Sequence, residues 1–181
     1  MEAAENLTAV QRSMAKKDAI KSACWGSLSS VMIQDSAIII LFATILGAGD
    51  MLSMATTATQ GIASCLLLIP AAYLSSKLGY KKTIMMFTAI GAVMIMLLAA
   101  SPWFGGWGKS VLLLSIIMFS MCMTVYGAAW FPLLDGFLLR EDRGGFFGML
   151  RFSWQTFAAT FCFVCGLIIG ENPKIWVLQV I

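Results

Sequence analysis

Long apolar runs alternate with short polar breaks along this chain, and the runs set the list of elements. After a polar stretch over residues 1–21, apolar residues fill 23–47, 51–76, 83–100, 110–134 and 146–170, and a sixth run extends from Ile175 to Ile181. Crossing a hydrocarbon core of about 30 Å takes about 20 helical residues, so each of the first five runs predicts a transmembrane helix. Seven helical residues rise only about 10 Å. The sixth run is therefore expected to be the start of a span that this stretch of chain does not complete, as in a fragment of a longer protein; the alternative is that its last residues lie at the interface. The breaks carry turn chemistry: GAGD ends the first run at Asp50, LGYKK turns on Gly79, and SPWFGGWG, DGFLLREDRGG and ENPK separate the rest. Thr8 to Gln11 has capping-box spacing and predicts a short surface helix in the tail.

The expected fold is an all-α membrane protein, a polytopic helix bundle of five complete spans plus the start of a sixth. Its organisation is a tail over residues 1–21 followed by one helical domain over 22–181. Composition narrows the function classes. The chain is 60% hydrophobic and 12% charged, with mean hydropathy +0.87, far from the quarter-charged average of soluble domains. That excludes an ordinary water-soluble enzyme domain and a disordered tail. With no histidine, imidazole relays and His-ligated metals are excluded too. Cys24, Cys65, Cys122, Cys162 and Cys165 all lie in apolar runs and read as small packing residues rather than disulfides or metal ligands. No metal or other cofactor is expected. The net charge of +3 comes from short scattered clusters, not the basic stripe that nucleic-acid binding needs.

Lys and Arg give an orientation. Arg12, Lys16, Lys17 and Lys21 precede the first span; Lys77, Lys81 and Lys82 lie between the second and third; Arg140, Arg143 and Arg151 lie at or beside the connector between the fourth and fifth. Only Lys109 and Lys174 fall on the opposite side. The positive-inside rule then puts the N-terminus in the cytoplasm, with Trp103, Trp107 and Trp176 near the outer interface.

Asp35 is the first candidate for chemistry. It sits at the middle of the first span, where a charge costs at least ~2.5–3.5 kcal/mol and must find a polar cavity or a partner. Ser27, Ser30 and Gln34 make a polar stripe beside it. The group reads as a substrate or cation contact or, alternatively, as a structural hydrogen-bonding site. Ser53, Thr56, Gln60 and Ser64 repeat on one face of the second span, as cavity lining or as an interhelical seam. Ser153, Thr156 and Thr160 share a face of the fifth, with Trp154 and Gln155 alongside. Tyr126 and Trp130 lie one turn apart on the fourth. Arg151 reads as a snorkelling cation, or as an anion contact paired with Asp135 or Asp35. Pro132 is expected to kink or break the end of the fourth span. GLIIG (166–170) predicts close helix packing. WFGGWGKS lacks the first glycine of a phosphate loop and follows no strand.

Between the second and third spans, Ala72-Tyr73-Leu74-Ser75-Ser76-Lys77-Leu78-Gly79-Tyr80-Lys81-Lys82 resembles the signature loop of the major facilitator superfamily, G-x-L-a-D-r-x-G-r-k. Leu74, Lys77, Gly79 and Lys81 match; Ala72 stands for the first glycine. Ser76 stands for the acidic residue, which in the family contacts the other half of the molecule. Arg143-Gly144, followed by Gly148, is similar to the family's cytoplasmic loop between helices four and five. The resemblance implies a secondary transporter of twelve helices in two halves, with its site at the midplane and coupling to H+ or Na+. This chain would be the N-terminal half, in a cell (inner or plasma) membrane, working with the missing C-terminal half and a small-molecule solute. The loop residues Leu74, Ser76, Lys77, Gly79, Lys81, Arg143 and Gly144 would then serve the conformational change. Asp35, Gln34, Gln60, Tyr126, Gln155 and Arg151 are the substrate or ion-binding candidates, chosen by polarity and depth. An embedded enzyme is not expected, for want of clustered carboxylates or a nucleophile–base pair. The alternative is a non-transporting membrane subunit or assembly protein.

Overall fold

The structure, a computed structural model, describes residues 7–35, 37–170 and 175–180, and the side chains at 34, 35, 37, 50–53 and 57 also lie outside the described residues. Every element among the described residues is helical. Helix α1 (Ala9–Ser30) starts on the expected capping box: Gln11 N donates to Thr8 Oγ1 at 3.3 Å, and Thr8 N donates to Gln11 Oε1 at 3.0 Å. The helix does not stop at the expected membrane boundary near Lys21. With neither proline nor a turn signal between Ala9 and Ser30, nothing breaks the hydrogen-bond ladder. A π-helical turn (Val31–Asp35) follows, and then α2 (Ala37–Ile45). The first apolar run is therefore a bent pair of helices, with an angle of 42° across the break, as a π-bulge commonly produces.

The other runs each form one helix: α3 (Asp50–Leu78), α4 (Tyr80–Ala99), α5 (Gly108–Asp135) and α6 (Arg143–Ile169). These four are long and apolar enough to cross a membrane, and the bent first pair makes five if it is counted as one span. Pro132 does not end α5, which runs on through Asp135. A 3₁₀ segment (Ser101–Trp107) links α4 to α5, and α7 (Ile175–Val180) closes the described chain. Outward faces are apolar to a degree water would not tolerate: Ile62, Leu66, Ile69 and Tyr73 of α3 are all exposed. Lipid is the solvent that suits them.

Helix α5 is the hub. It packs along α3 on one side and α4 on the other, while α1 packs along α6; α7 rests on α2 and touches α4 and α6. One buried cluster joins Ile33, Ile39, Phe42 and Ala43 of the first helix pair to Leu112, Ile116 and Phe119 of α5 and Leu178 of α7. Gln179 Nε2 secures α7 by donating to the Ala99 carbonyl at 2.7 Å. A second cluster (Ala19, Leu134, Leu138, Phe146, Leu150) ties α1 to the α5–α6 connector. Beside it Lys16 pairs with Asp142 at 2.7 Å, and Arg143 pairs with Asp135.

Ser64 of the polar stripe on the second span, with Thr59 beside that stripe, meets α5 in a seam; the Ser53 side chain lies outside the described residues. Thr124 Oγ1 donates to the Ser120 carbonyl at 2.9 Å, so the 3.4 Å contact from Ser64 Oγ to Thr124 Oγ1 has Ser64 as donor. Gln60 Nε2 in turn donates to Ser64 Oγ at 3.3 Å. By the same reasoning Ser120 donates to Thr59 Oγ1 at 3.2 Å, because Thr59 spends its proton on the Thr56 carbonyl at 2.8 Å. Interhelical hydrogen bonds in bilayers average about 0.6 kcal/mol. Thr124→Val, which keeps the shape and removes the acceptor, is expected to lower stability by only about 0.5–1.5 kcal/mol in a reversible unfolding titration in mixed micelles.

Candidate functional site

Three helices turn one face each toward a shared cavity of about 510 Å³. Ser27 and Ser30 come from α1, Tyr126 and Trp130 from α5, and Arg151 and Trp154 from α6. The spacing on each helix is that of a single face. On α6, Phe147, Leu150, Arg151 and Trp154 follow i, i+3, i+4, i+7; on α1, Ala23, Gly26, Ser27 and Ser30 do the same. Gly26 faces the tyrosine, and a Cβ there would lie in ordinary contact, 3.8 Å from Tyr126 Oη. Tyr126 and Trp130 stack with centroids 5.5 Å apart and planes 18° from parallel. Phe131 and Phe147 continue the aromatic wall across the α5–α6 corner, 6.3 Å apart.

Polar groups in this cavity are few and mostly engaged. Ser27 Oγ donates to the Cys24 carbonyl at 2.8 Å, leaving its lone pairs as acceptors. The Tyr126 hydroxyl bonds the Ser22 side chain, and Ser30 also has a partner. Arg151 differs: among the described residues it has no ion pair or hydrogen bond, and it is the one charged group lining the cavity. The expected pairing of Arg151 with Asp135 is not formed, because Arg143 takes that carboxylate at the helix junction.

The candidates divide by location. Tyr126 and Arg151 line the cavity with Ser27 and Ser30, whereas Gln60 lies outside that lining and bonds Ser64 on its own helix, and Gln155 is exposed outside it too. The side chains of Gln34 and Asp35 lie outside the described residues; their backbone forms the end of the π turn. In the loop between α3 and α4, Gly79 has φ +89° and ψ 131°, a backbone open in practice only to glycine. Leu74 and Lys81 are exposed there, Lys77 sits 4.6 Å above the Tyr73 ring, and Ser76 Oγ donates to the Tyr73 carbonyl at 2.8 Å. Arg143 and Gly144 form the first turn of α6. Gly166 of GLIIG has nothing within 4 Å of its Cβ position among the described residues, so close packing is not found there. The cysteines are free, and no cluster of metal-ligating residues occurs among the described residues.

Sequence reasoning underrated the aromatic part of the site. Phe131, Phe147 and Trp154 were visible as bulky residues, but an aromatic residue in a membrane helix usually packs. The available signal was their coincidence on helical faces with the small residues Gly26 and Ser27 opposite. No family model matches the chain, and neither curated proteins nor solved structures give a match.

Proposed function

We propose that this chain is one six-helix half of an alternating-access solute carrier of the major facilitator type, with its solute cavity between α1, α5 and α6. One observation carries the reading: polar groups and a cation converge on a cavity between α1, α5 and α6. Cavities between helices are where secondary transporters hold their cargo, and this one lies in the half of the spans nearer the α5–α6 connector. Helix adjacency supports it. With α1 and α2 counted as the first crossing and α3 to α7 as the second to sixth, the first packs on the fifth and the second on the fourth. The third also packs on the fourth, and the first on the sixth. Advancing each number by three turns one–five into four–two and three–four into six–one. These four pairings map onto one another, as in two inverted three-helix repeats, while the packing of α2 on α3 has no equal between α5 and α6.

In this reading the short α7 occupies the place of the sixth crossing, the N-terminus faces the cytoplasm by its Lys and Arg excess, and the glycine turn at Gly79 anchors the inner loop. Rocking against a second six-helix unit would open the cavity to each side in turn, coupled to H+ or Na+ through a carboxylate such as Asp35. Cysteines placed singly at Ser27 and Ser30, in a variant stripped of native thiols, test it in intact membranes. Both are expected to react with a water-soluble methanethiosulfonate, while a cysteine at lipid-facing Ile69 stays unreactive. Inertness at 27 and 30 under every condition would overturn the transport reading and favour a non-transporting membrane subunit.

A further inference from the structure

Resting on that reading, we infer that the α1–α5–α6 cavity takes a planar organic anion, anchored through its charge by Arg151 and held flat against the Tyr126–Trp130 stack. The charge inventory favours the sign. Arg151 is exposed and has no ion pair or hydrogen bond among the described residues, so its guanidinium is available for a carboxylate or sulfonate in bidentate contact. Cations would also lie well on the aromatic faces, but here they would meet Arg151 as a like charge with no carboxylate among the described lining residues to offset it.

The walls favour the body. A volume of about 510 Å³ suits a metabolite-sized molecule and is far larger than an inorganic anion would fill. A polyhydroxylated solute would bring many donors and acceptors to a wall that is mostly aromatic and aliphatic, with Ser27, Ser30, Tyr126 and Arg151 its polar side chains. Unmet hydrogen bonds in such a site cost affinity. Tyr126 and Trp130 stack on each other with planes 18° from parallel, so the outer face of the stack is a flat aromatic platform on which the ring of an aromatic acid can lie. The remaining source of a charged head on an apolar body is an anionic phospholipid, and the experiment separates the two.

Equilibrium dialysis of radiolabelled 2-naphthoate against the purified full chain, in neutral-lipid nanodiscs, gives the reference affinity. Its uncharged analogue, 2-naphthylmethanol, is expected to bind about tenfold or more weakly, and acetate to compete poorly. Arg151→Gln is expected to bring naphthoate down to the affinity of the alcohol while leaving the alcohol within about twofold, and Arg151→Lys to restore part of the difference. Equal affinities of acid and alcohol in the unaltered chain would overturn the assignment without recourse to any variant. So would acetate competing as well as naphthoate. Adding phosphatidylglycerol to the discs should leave naphthoate binding unchanged; a tenfold loss would give the cavity to a lipid headgroup and overturn it as well. Failure here with reactive cysteines at 27 and 30 removes only the choice of solute. Inert cysteines remove the carrier itself.

Discussion

Leucine in place of Gly108 is expected to destabilise the bundle by about 3 kcal/mol, the upper end of overpacking costs. A Cβ built on Gly108 falls 2.8 Å from the backbone oxygen of Ser101, a distance real Cβ atoms do not adopt. The obstacle is main chain, not the tip of a movable side chain, so relief requires shifting the 3₁₀ segment away from α5. That segment is constrained on its own side, since Ser101 is fully buried and Leu46 of the neighbouring turn lies 4.0 Å from the same point. The loss should appear as a lower unfolding midpoint in mixed micelles. Gly108→Ala should show a smaller loss of the same sign, because even one methyl meets the carbonyl. A neutral result for both would mean that the junction of α4 and α5 is looser than its geometry implies.

Valine at Gly79 is the second large effect, at about 2–3 kcal/mol. No collision drives it, since open space surrounds the Cβ position. The cost is conformational. At φ +89° any side chain crowds its own backbone, and a β-branched one crowds it most. Gly79 is at once the C-cap of α3 and the N-cap of α4, and its N–H donates to the Ser75 carbonyl at 3.0 Å. Moving it to an ordinary φ would re-aim one helix against the other. Gly79→Ala should recover part of the loss. Since Ser75 and Thr83 flanking the turn are fully buried, the strain cannot dissipate into a floppy loop. Thermal unfolding of the two variants side by side reads both the size and the order.

Helices α3, α4, α5 and α6 were legible in the sequence because each apolar run ends in a signal the backbone obeys: Gly79, the Ser101-Pro102 step, the charged connector. The bend within the first run was not. VMIQD carries no proline or glycine, and a π turn leaves no mark on hydropathy. The continuity of α1 was missed for a different reason. A membrane boundary was inferred from where apolar residues begin, whereas a helix ends only where its hydrogen bonds do.

The site was half legible. Tyr126, Arg151, Ser27 and Ser30 stood out as polar groups in apolar surroundings, and they meet in one cavity. What the sequence withheld was facing. In water a helix must turn its apolar stripe inward, so periodicity reveals its phase. In lipid, outward and inward faces are equally apolar, so the stripe of Thr56, Gln60 and Ser64 fitted a seam or a cavity equally well. Its bond to Thr124 of α5 assigns Ser64 to the seam.

The unbroken course of α1 has a mechanical corollary. Its 22 residues form a rod about 33 Å long, and the same rigid piece holds Lys16, a third of the way along and paired with Asp142, and Ser27 and Ser30 near its far end. With no joint between them, slack cannot absorb a displacement. A tug on the salt-linked handle swings the serines by a proportionate arc, so events at the water-exposed corner are felt in the pocket as leverage.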